Sequence, residues 1–173
     1  MVWARIARTL YDGPATEPAG PVDEDFVQRL AAQVQAGAQA RLGRSLAIRH
    51  VDAGSCNGCE LEIHAVNSIV YDLERFGVRF VASPRHADVL LVTGPLTRNM
   101  REALERTWLA TPDPKWVVAV GDCAVDGGVF RGSYAVEDGV GAAVPVDLLI
   151  RGCPPNPVQL LEGLRALLET NAR

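Results

Sequence analysis

Lysine is almost absent from this chain. Of its 17 basic residues only Lys115 is a lysine, and the others are arginines. The net charge is −4 and the pI is about 5.4, so positive charge is not in excess. Nucleic-acid-binding domains usually carry such an excess, and we therefore expect no nucleic-acid partner. Arginine suits interface ion pairs because its planar guanidinium binds carboxylates in two places, although a GC-rich genome would produce the same bias.

The chain also lacks a long hydrophobic run and a nucleotide-binding glycine motif. No apolar stretch reaches the roughly 20 residues of a membrane span, and neither a secretory signal nor a twin-arginine pair is visible. Neither a Walker loop nor GxGxxG occurs, so a nucleotide cofactor is not supported. We expect the chain to stay in the cytoplasm, where four cysteines indicate metal or redox chemistry rather than disulfides.

Two regions are predicted. Residues 1–45 form an N-terminal arm and helix that contacts a partner or the membrane, and residues 46–173 form the main domain. In the arm, apolar residues recur on one helical face: Val2, Trp3, Ile6 and Leu10. A terminus packed on its own domain would give the same pattern. Residues 12–21 are rich in proline and glycine and read as a linker, and residues 22–42 have a helical pattern.

From residue 46 onwards, apolar strands alternate with helices. The predicted strands are 46–51, 78–81, 88–92, 116–120 and 146–150. The predicted helices are 60–76, 98–108 and 157–168, the first on a stripe of Leu61, Ala65, Ile69, Leu73 and Phe76. This alternation implies an α/β fold with a parallel sheet that is covered by helices on both faces. Ligands of such sheets bind beyond the carboxyl ends of the strands.

Each of the four cysteines lies just after a predicted strand. Cys56 and Cys59 follow the first strand, Cys123 follows 116–120, and Cys153 follows 146–150. All four are therefore expected at one edge of the sheet. Four thiolates on three loops can hold one cubane iron–sulfur cluster. Glycines near them would let backbone amides approach the sulfurs: Gly54, Gly58, Gly121, Gly127, Gly128 and Gly152.

Three other interpretations of the cysteines stay open at this point. Structural zinc also takes four thiolates, but usually from two close pairs, and only Cys56 and Cys59 are a close pair here. A thioredoxin-like dithiol could use the same pair at a strand–helix junction, which would leave Cys123 and Cys153 without a role. Ordinary core cysteines are the third interpretation, although all four lie in glycine- and proline-rich loops.

Several segments together resemble a known family. They are residues 55–62 (SCNGCELE), 83–94 (SPRHADVLLVTG), 121–128 (GDCAVDGG), 144–147 (VPVD) and 152–157 (GCPPNP). They resemble the small subunit of membrane-bound, energy-converting [NiFe] hydrogenases of the formate hydrogenlyase type, and the homologous 20 kDa subunit of respiratory complex I. The resemblance covers about residues 46–168. The complex I branch has two adjacent cysteines at the first motif, so the spacing of Cys56 and Cys59 favours the hydrogenase branch.

The resemblance implies a flavodoxin-like sheet without flavin that carries one [4Fe-4S] cluster on Cys56, Cys59, Cys123 and Cys153. It implies a large subunit that holds the nickel–iron site, a ferredoxin-like iron–sulfur subunit and membrane-embedded subunits as partners. The chain would be an electron-transport subunit without catalytic residues of its own, on the cytoplasmic side of the membrane. One alternative is a complex I-like or nickel-free assembly that reduces a quinone or another acceptor, and another is a thiol–disulfide protein.

A few further residues are candidates for lesser roles. Glu60 could move protons or bind the large subunit, or be only a first-turn carboxylate favoured by the helix dipole. Arg85 and His86, in a loop between two strands, could line the partner interface or a quinone-like cavity, or anchor the loop. Asp122 and Asp126 stand where many relatives have small or neutral residues. Near a cluster they would lower its potential, unless they point to solvent.

Overall fold

The computed structural model describes residue 11 and residues 23–170, and its centre is one sheet of five parallel strands. They are β1 (Leu46–Asp52), β2 (Val78–Phe80), β3 (Val89–Thr93), β4 (Trp116–Val120) and β5 (Leu148–Ile150). Their order across the sheet is β2-β1-β3-β4-β5, which is the flavodoxin-like order. The predicted fold class is confirmed. The amphipathic helix predicted for the first ten residues lies outside the described residues.

Within residues 23–170, five α-helices accompany the strands: α1 (Glu24–Leu42), α2 (Gly58–Val66), α3 (Arg98–Ala110), α4 (Asp122–Asp126) and α5 (Pro157–Glu169). Residues of α1, α2 and α5 share one apolar core with one face of the sheet. Leu104 of α3 and the segment around Val140 and Val144 belong to the core on the other face. Although α1 lies within the predicted arm, it packs on α5. The division after residue 45 stays a prediction.

The carboxyl ends of four strands are aligned. Asp52 of β1 is paired with Thr93 of β3, Thr93 with Val120 of β4, and Val120 with Ile150 of β5. Strands β3 and β4 are buried along their whole length, as expected for continuous apolar runs inside a parallel sheet. The loops that follow these strands therefore start at the same height, and three of them carry the cysteines.

The helix predicted over 60–76 is wrong in its extent, because α2 ends at Val66. Asn67 and Ser68 are residues whose side chains compete with helical hydrogen bonds. The side-chain amide of Asn67 (Nδ2) donates to Ile63 O at 3.3 Å. The next residues form turns, with Asp72 at φ +45°, before a 3-10 helix at Leu73–Phe76. As a result Ile69 is 95% exposed rather than buried on the predicted stripe.

The helix ends follow standard capping chemistry. The Asp23 carboxylate accepts from Phe26 N at the start of α1, and Gly43 ends that helix at φ +67°. Asn156 and Gln159 form a capping box at the start of α5. Within residue 11 and residues 23–170, none of the helices has the length and apolar content to cross a membrane.

Candidate metal centre

The loop that carries Cys56 and Cys59 is shaped by the last residue of β1. One carboxylate oxygen of Asp52 accepts the N–H of Gly54 at 2.8 Å and that of Ser55 at 2.7 Å. Burial raises the pKa of Asp52, but these two N–H donors outweigh it and hold the pKa below its ordinary value. Asn57 then adopts a left-handed conformation with φ +72°, directly before α2 begins. The turn thus presents Cys56 and Cys59 on either side of the helix start.

A neighbouring loop after β3 locks this turn in place. Thr97 donates to Ala53 O through both its amide (3.0 Å) and its hydroxyl (2.8 Å). A Cβ at Gly54 would lie 2.3 Å from the Thr97 methyl, and one at Gly94 would lie 2.5 Å from Ser55 N. Both positions therefore need glycine for close packing rather than for an approach to sulfur.

The loops that carry Cys123 and Cys153 are tied directly to each other. Gly121 N donates to Ile150 O at 2.8 Å, and Asp122 N donates to Gly152 O at 2.9 Å. In return, Gly152 N donates to the Asp122 carboxylate at 3.2 Å. These bonds continue the β4–β5 pairing past the strand ends. They fix the Cys123 helix and the Cys153 loop as one unit.

Glycine contacts tie the first cysteine pair to the other two loops. A Cβ at Gly121 would lie 2.7 Å from Cys59 Sγ, and one at Gly58 would lie 3.6 Å from Cys56 Sγ and 3.9 Å from Pro154. A Cβ at Gly128 would lie 3.0 Å from Cys123 Sγ. These three sulfurs therefore lie against glycine backbone. A side chain at Gly121 or Gly128 would occupy space that the neighbouring sulfur needs. Three of the six glycines singled out from the sequence, Gly58, Gly121 and Gly128, make this approach.

The electrostatics show that the four thiols are close enough to influence one another. All four are free cysteines. Burial raises the pKa of Cys59 to about 12, with additional increases from Glu60 and from the other three cysteines. Burial also raises the pKa of Cys123, helped by Cys153 and opposed by the backbone N–H of Val129. With raised pKa values, the thiols of Cys59 and Cys123 stay protonated at neutral pH, whereas a bound metal would favour their thiolates.

Within the part of the chain that the structure describes, no three His, Cys, Asp or Glu side chains are arranged to hold a single metal ion. This finding gives no support to a single zinc ion, whose ligands converge at about 2.0–2.3 Å. The donor set suits a cubane iron–sulfur cluster, because it offers four free cysteines on three loops at one edge of the sheet.

Asp122 and Asp126, which flank Cys123, form hydrogen bonds and ion pairs and do not simply point to solvent. Besides its bond with Gly152 N, Asp122 lies 3.7 Å from Nη1 of Arg151. Asp126 accepts from Arg151 Nη1 at 3.2 Å and from Gly128 N at 3.1 Å. The N–H of Gly128 and then Arg151 hold the pKa of Asp126 below its ordinary value. Arg151 was not predicted as a site residue, because it reaches these carboxylates only through the β4–β5 pairing.

Glu60 lies in the first turn of α2 and is 93% buried. Neither of its carboxylate oxygens has a hydrogen-bond partner among the described residues. Its Oε1 lies 3.6 Å from Nε2 of His50, which also contacts Thr93 Oγ1 at 2.9 Å. Burial lowers the pKa of His50, and Glu60 partly opposes this. A cavity of about 320 Å³ opens beside the pair, with His64 on its wall.

Arg85 and His86 lie apart from this cavity. They occupy an exposed 3-10 turn, Pro84–His86, between β2 and β3, and neither lines the cavity beside Glu60. Their role at a partner surface stays a prediction. His50, by contrast, was missed from the sequence, because a histidine inside an apolar strand carries no motif.

A family model described as "NADH ubiquinone oxidoreductase, 20 Kd subunit" matches residues 56–167, which include all four cysteines. The chain belongs to this family. The chain is also 46% identical over 137 residues to formate hydrogenlyase subunit 7 of Escherichia coli strain K12. That match covers 79% of the chain and 54% of the relative, so the chain spans about half of that relative's length.

Two further relatives agree with this assignment. The chain is 47% identical over 132 residues to a probable membrane-bound hydrogenase subunit, mbhJ, of Pyrococcus furiosus, which covers 76% of the chain and 79% of the relative. A solved structure of a membrane-bound sulfane sulfur reductase, described as an archaeal respiratory membrane complex, contains a chain with a TM-score of 0.64 and 31% identity. That match covers 86% of this chain and 75% of the other. The family resemblance inferred from the sequence is confirmed.

Proposed function

We propose that this chain is the electron-transfer subunit of a membrane-associated [NiFe] hydrogenase complex and carries one [4Fe-4S] cluster on Cys56, Cys59, Cys123 and Cys153. The observation that carries the proposal is the convergence of three loops at one sheet edge. There the sulfurs of Cys56, Cys59 and Cys123 rest on glycines whose missing Cβ atoms leave them room. A cluster held in this way accepts and donates single electrons.

The residues of the chain would act as the holder of the cluster. Asp52 shapes the turn of the first two ligands, and the Asp122–Gly152 bonds fix the other two loops relative to each other. No residue of this chain is assigned to bond making or breaking, so the reaction belongs to the partner large subunit.

The names of the relatives support the hydrogenase assignment over the complex I-like one. Two of them are named as hydrogenase or formate hydrogenlyase subunits, whereas the solved relative is a sulfane sulfur reductase. We therefore keep a nickel-free, complex I-like assembly as the second candidate. In both cases the partners would be a large subunit, a ferredoxin-like iron–sulfur subunit and membrane-embedded subunits, with this chain peripheral on the cytoplasmic side.

The thiol–disulfide alternative has less support. A reactive dithiol needs a thiol whose pKa is lowered towards neutrality. Burial raises the pKa of Cys59 to about 12, so Cys59 could not itself be the activated thiol of such a pair. The dithiol interpretation also leaves Cys123 unexplained, although its sulfur lies against the Gly128 backbone.

The test is the composition of the native complex, purified anaerobically through an affinity tag on this chain. Nickel in the same particle, together with a reduced S = 1/2 signal in electron paramagnetic resonance, is the expected result. Iron without nickel would replace the hydrogenase assignment by the complex I-like one. A particle with neither metal would overturn the proposal and leave the thiol–disulfide interpretation.

A further inference from the structure

One arginine connects the two carboxylates beside the third cysteine. Arg151 Nη1 lies 3.2 Å from an Asp126 oxygen and 3.7 Å from an Asp122 oxygen. The same Asp122 oxygen accepts the N–H of Gly152, one residue before Cys153. The other Asp126 oxygen accepts the N–H of Gly128. The group thus spans the Cys123 helix and the Cys153 loop.

This charged group lies at the candidate metal centre itself. Asp122, Asp126 and Arg151 line one open hollow of about 340 Å³ together with Cys153. Its formal charge is −1, from two carboxylates and one guanidinium, and it would be −2 without Arg151. Reduction of a cluster adds a negative charge, so each unpaired carboxylate nearby favours the oxidised form.

Stability is a weak explanation for the group. The Arg151 side chain is 61% exposed, and exposed ion pairs contribute little to folding, about 0–1 kcal/mol. The glycine N–H bonds already hold both carboxylates without Arg151. What the arginine uniquely supplies at this place is a positive charge.

We propose that Arg151 is a positioning residue that sets the reduction potential of the centre by neutralising Asp122 and Asp126 beside it. The proposal rests on the proposed function, because it needs a cluster on Cys123 and Cys153. It requires no change in the number of ligands and no titration of either carboxylate. Its effect falls at high ionic strength, because exposed charges are screened by salt.

The experiment is an electron paramagnetic resonance redox titration of the native complex with Arg151→Gln, Arg151→Lys or Asp126→Asn in this chain. Arg151→Gln is expected to shift the reduction equilibrium of this cluster about tenfold towards the oxidised form. This shift corresponds to a decrease of about 59 mV in the potential for one electron. Arg151→Lys keeps the charge and should stay near the wild type, and Asp126→Asn should raise the potential. Arg106→Gln is the control, since Arg106 makes an exposed pair with Glu102 on α3.

Each outcome decides the proposal. An unchanged potential in an Arg151→Gln complex that keeps its iron would overturn it, as would an equal decrease in Arg106→Gln. If the Arg151→Gln complex loses the cluster, the potential measured for Asp126→Asn decides, because this variant removes one negative charge and keeps Arg151. A raised potential supports the proposal, and an unchanged one overturns it. Wild-type complex without iron on this subunit would instead overturn the proposed function, and the two failures are thereby distinguished.

Discussion

The two ends of the sheet are built differently. At the amino ends, buried charge and hydrogen bonds tie the strands together: Asp88 is paired with Arg44 and accepts Ala47 N at 2.9 Å. Asp147 similarly accepts Val117 N at 2.9 Å. At the carboxyl ends the loops are rich in glycine and carry the cysteines, of which Cys56 and Cys153 are exposed.

The difference indicates that the two ends of the sheet have separate roles, one in stability and one in the geometry of the site. The amino end supplies stability, since a carboxylate with 3% exposure is held by a guanidinium and a backbone amide. The carboxyl end supplies geometry, since its glycines leave room for sulfur rather than bury apolar surface. Substitutions at the amino end should therefore change unfolding but not metal content, whereas substitutions of the glycines beside the sulfurs should mainly change metal content.

The largest effect is expected from Gly121→Ala at the carboxyl end. The new Cβ would lie 2.7 Å from Cys59 Sγ at a residue with φ +87°, so the sulfur must move and most of the iron of this subunit should be lost. Gly132→Ala is the matched control, because its φ is +77° but nothing lies within 4 Å. Both substitutions carry a backbone cost of at least about 1 kcal/mol, and the cost is larger at Gly121, whose ψ of 154° lies in a region essentially restricted to glycine. An equal iron content in Gly121→Ala and Gly132→Ala would contradict the claim that the missing Cβ of Gly121 makes room for the Cys59 sulfur.

The opposite pattern is expected from Asp88→Ala at the amino end. The change leaves Ala47 N without its acceptor and Arg44 without its partner, at a cost of about 2 kcal/mol in the free energy of unfolding. Iron per folded chain should be unchanged. Urea unfolding and iron analysis on the same preparations check this. If Asp88→Ala kept its free energy of unfolding but lost iron, the assignment of stability to the amino ends of the strands would be contradicted.

A smaller effect is expected from Asp52, which lies at the carboxyl end but acts on the backbone. Asp52→Ala should cost about 1 kcal/mol, similar to the loss of a helix cap, because Gly54 N and Ser55 N lose their acceptor. Asp52→Asn keeps an acceptor oxygen and should cost less.

The same residue gives a pH prediction. The pKa of Asp52 is lowered from its ordinary value of 3.8, so its charge stabilises the fold above pH 3.8, and this contribution is lost as the pH falls below it. The stability difference between metal-free wild type and Asp52→Asn should therefore shrink in acid. A difference that stays constant down to pH 3 would mean that the charge of Asp52 plays no part.

The fold was largely predictable, because the central strands β3 and β4 are continuous apolar runs that are buried along their whole length. Strand β4 occupies the predicted residues 116–120, and the alternation with helices gave the parallel sheet. The end of α2 was not predictable from periodicity alone. Ile69 continues the 3.6-residue pattern, yet it is 95% exposed, because Asn67 and Ser68 turn the chain away. Leu61 is 60% exposed for another reason, since α2 buries the face that carries Glu60, Ile63 and Val66.

The placement of the cysteines was predictable for the same reason, since the carboxyl ends of parallel strands meet at one edge. The partners of the charged residues were not. Arg151 lies 25 residues from Asp126 in the chain, and Arg44 lies 44 residues from Asp88. Such pairs depend on strand order and loop shape. That the four cysteines bind a cluster stays a prediction.

The most direct test of the central claim is the iron content of the native complex with wild-type subunit and with Cys153→Ala. Because partner subunits contribute the same iron to both, the difference isolates this site. We predict a difference of about four irons, together with the loss of one reduced S = 1/2 signal. An equal iron content, with all signals retained, would contradict the assignment of Cys153 as a ligand.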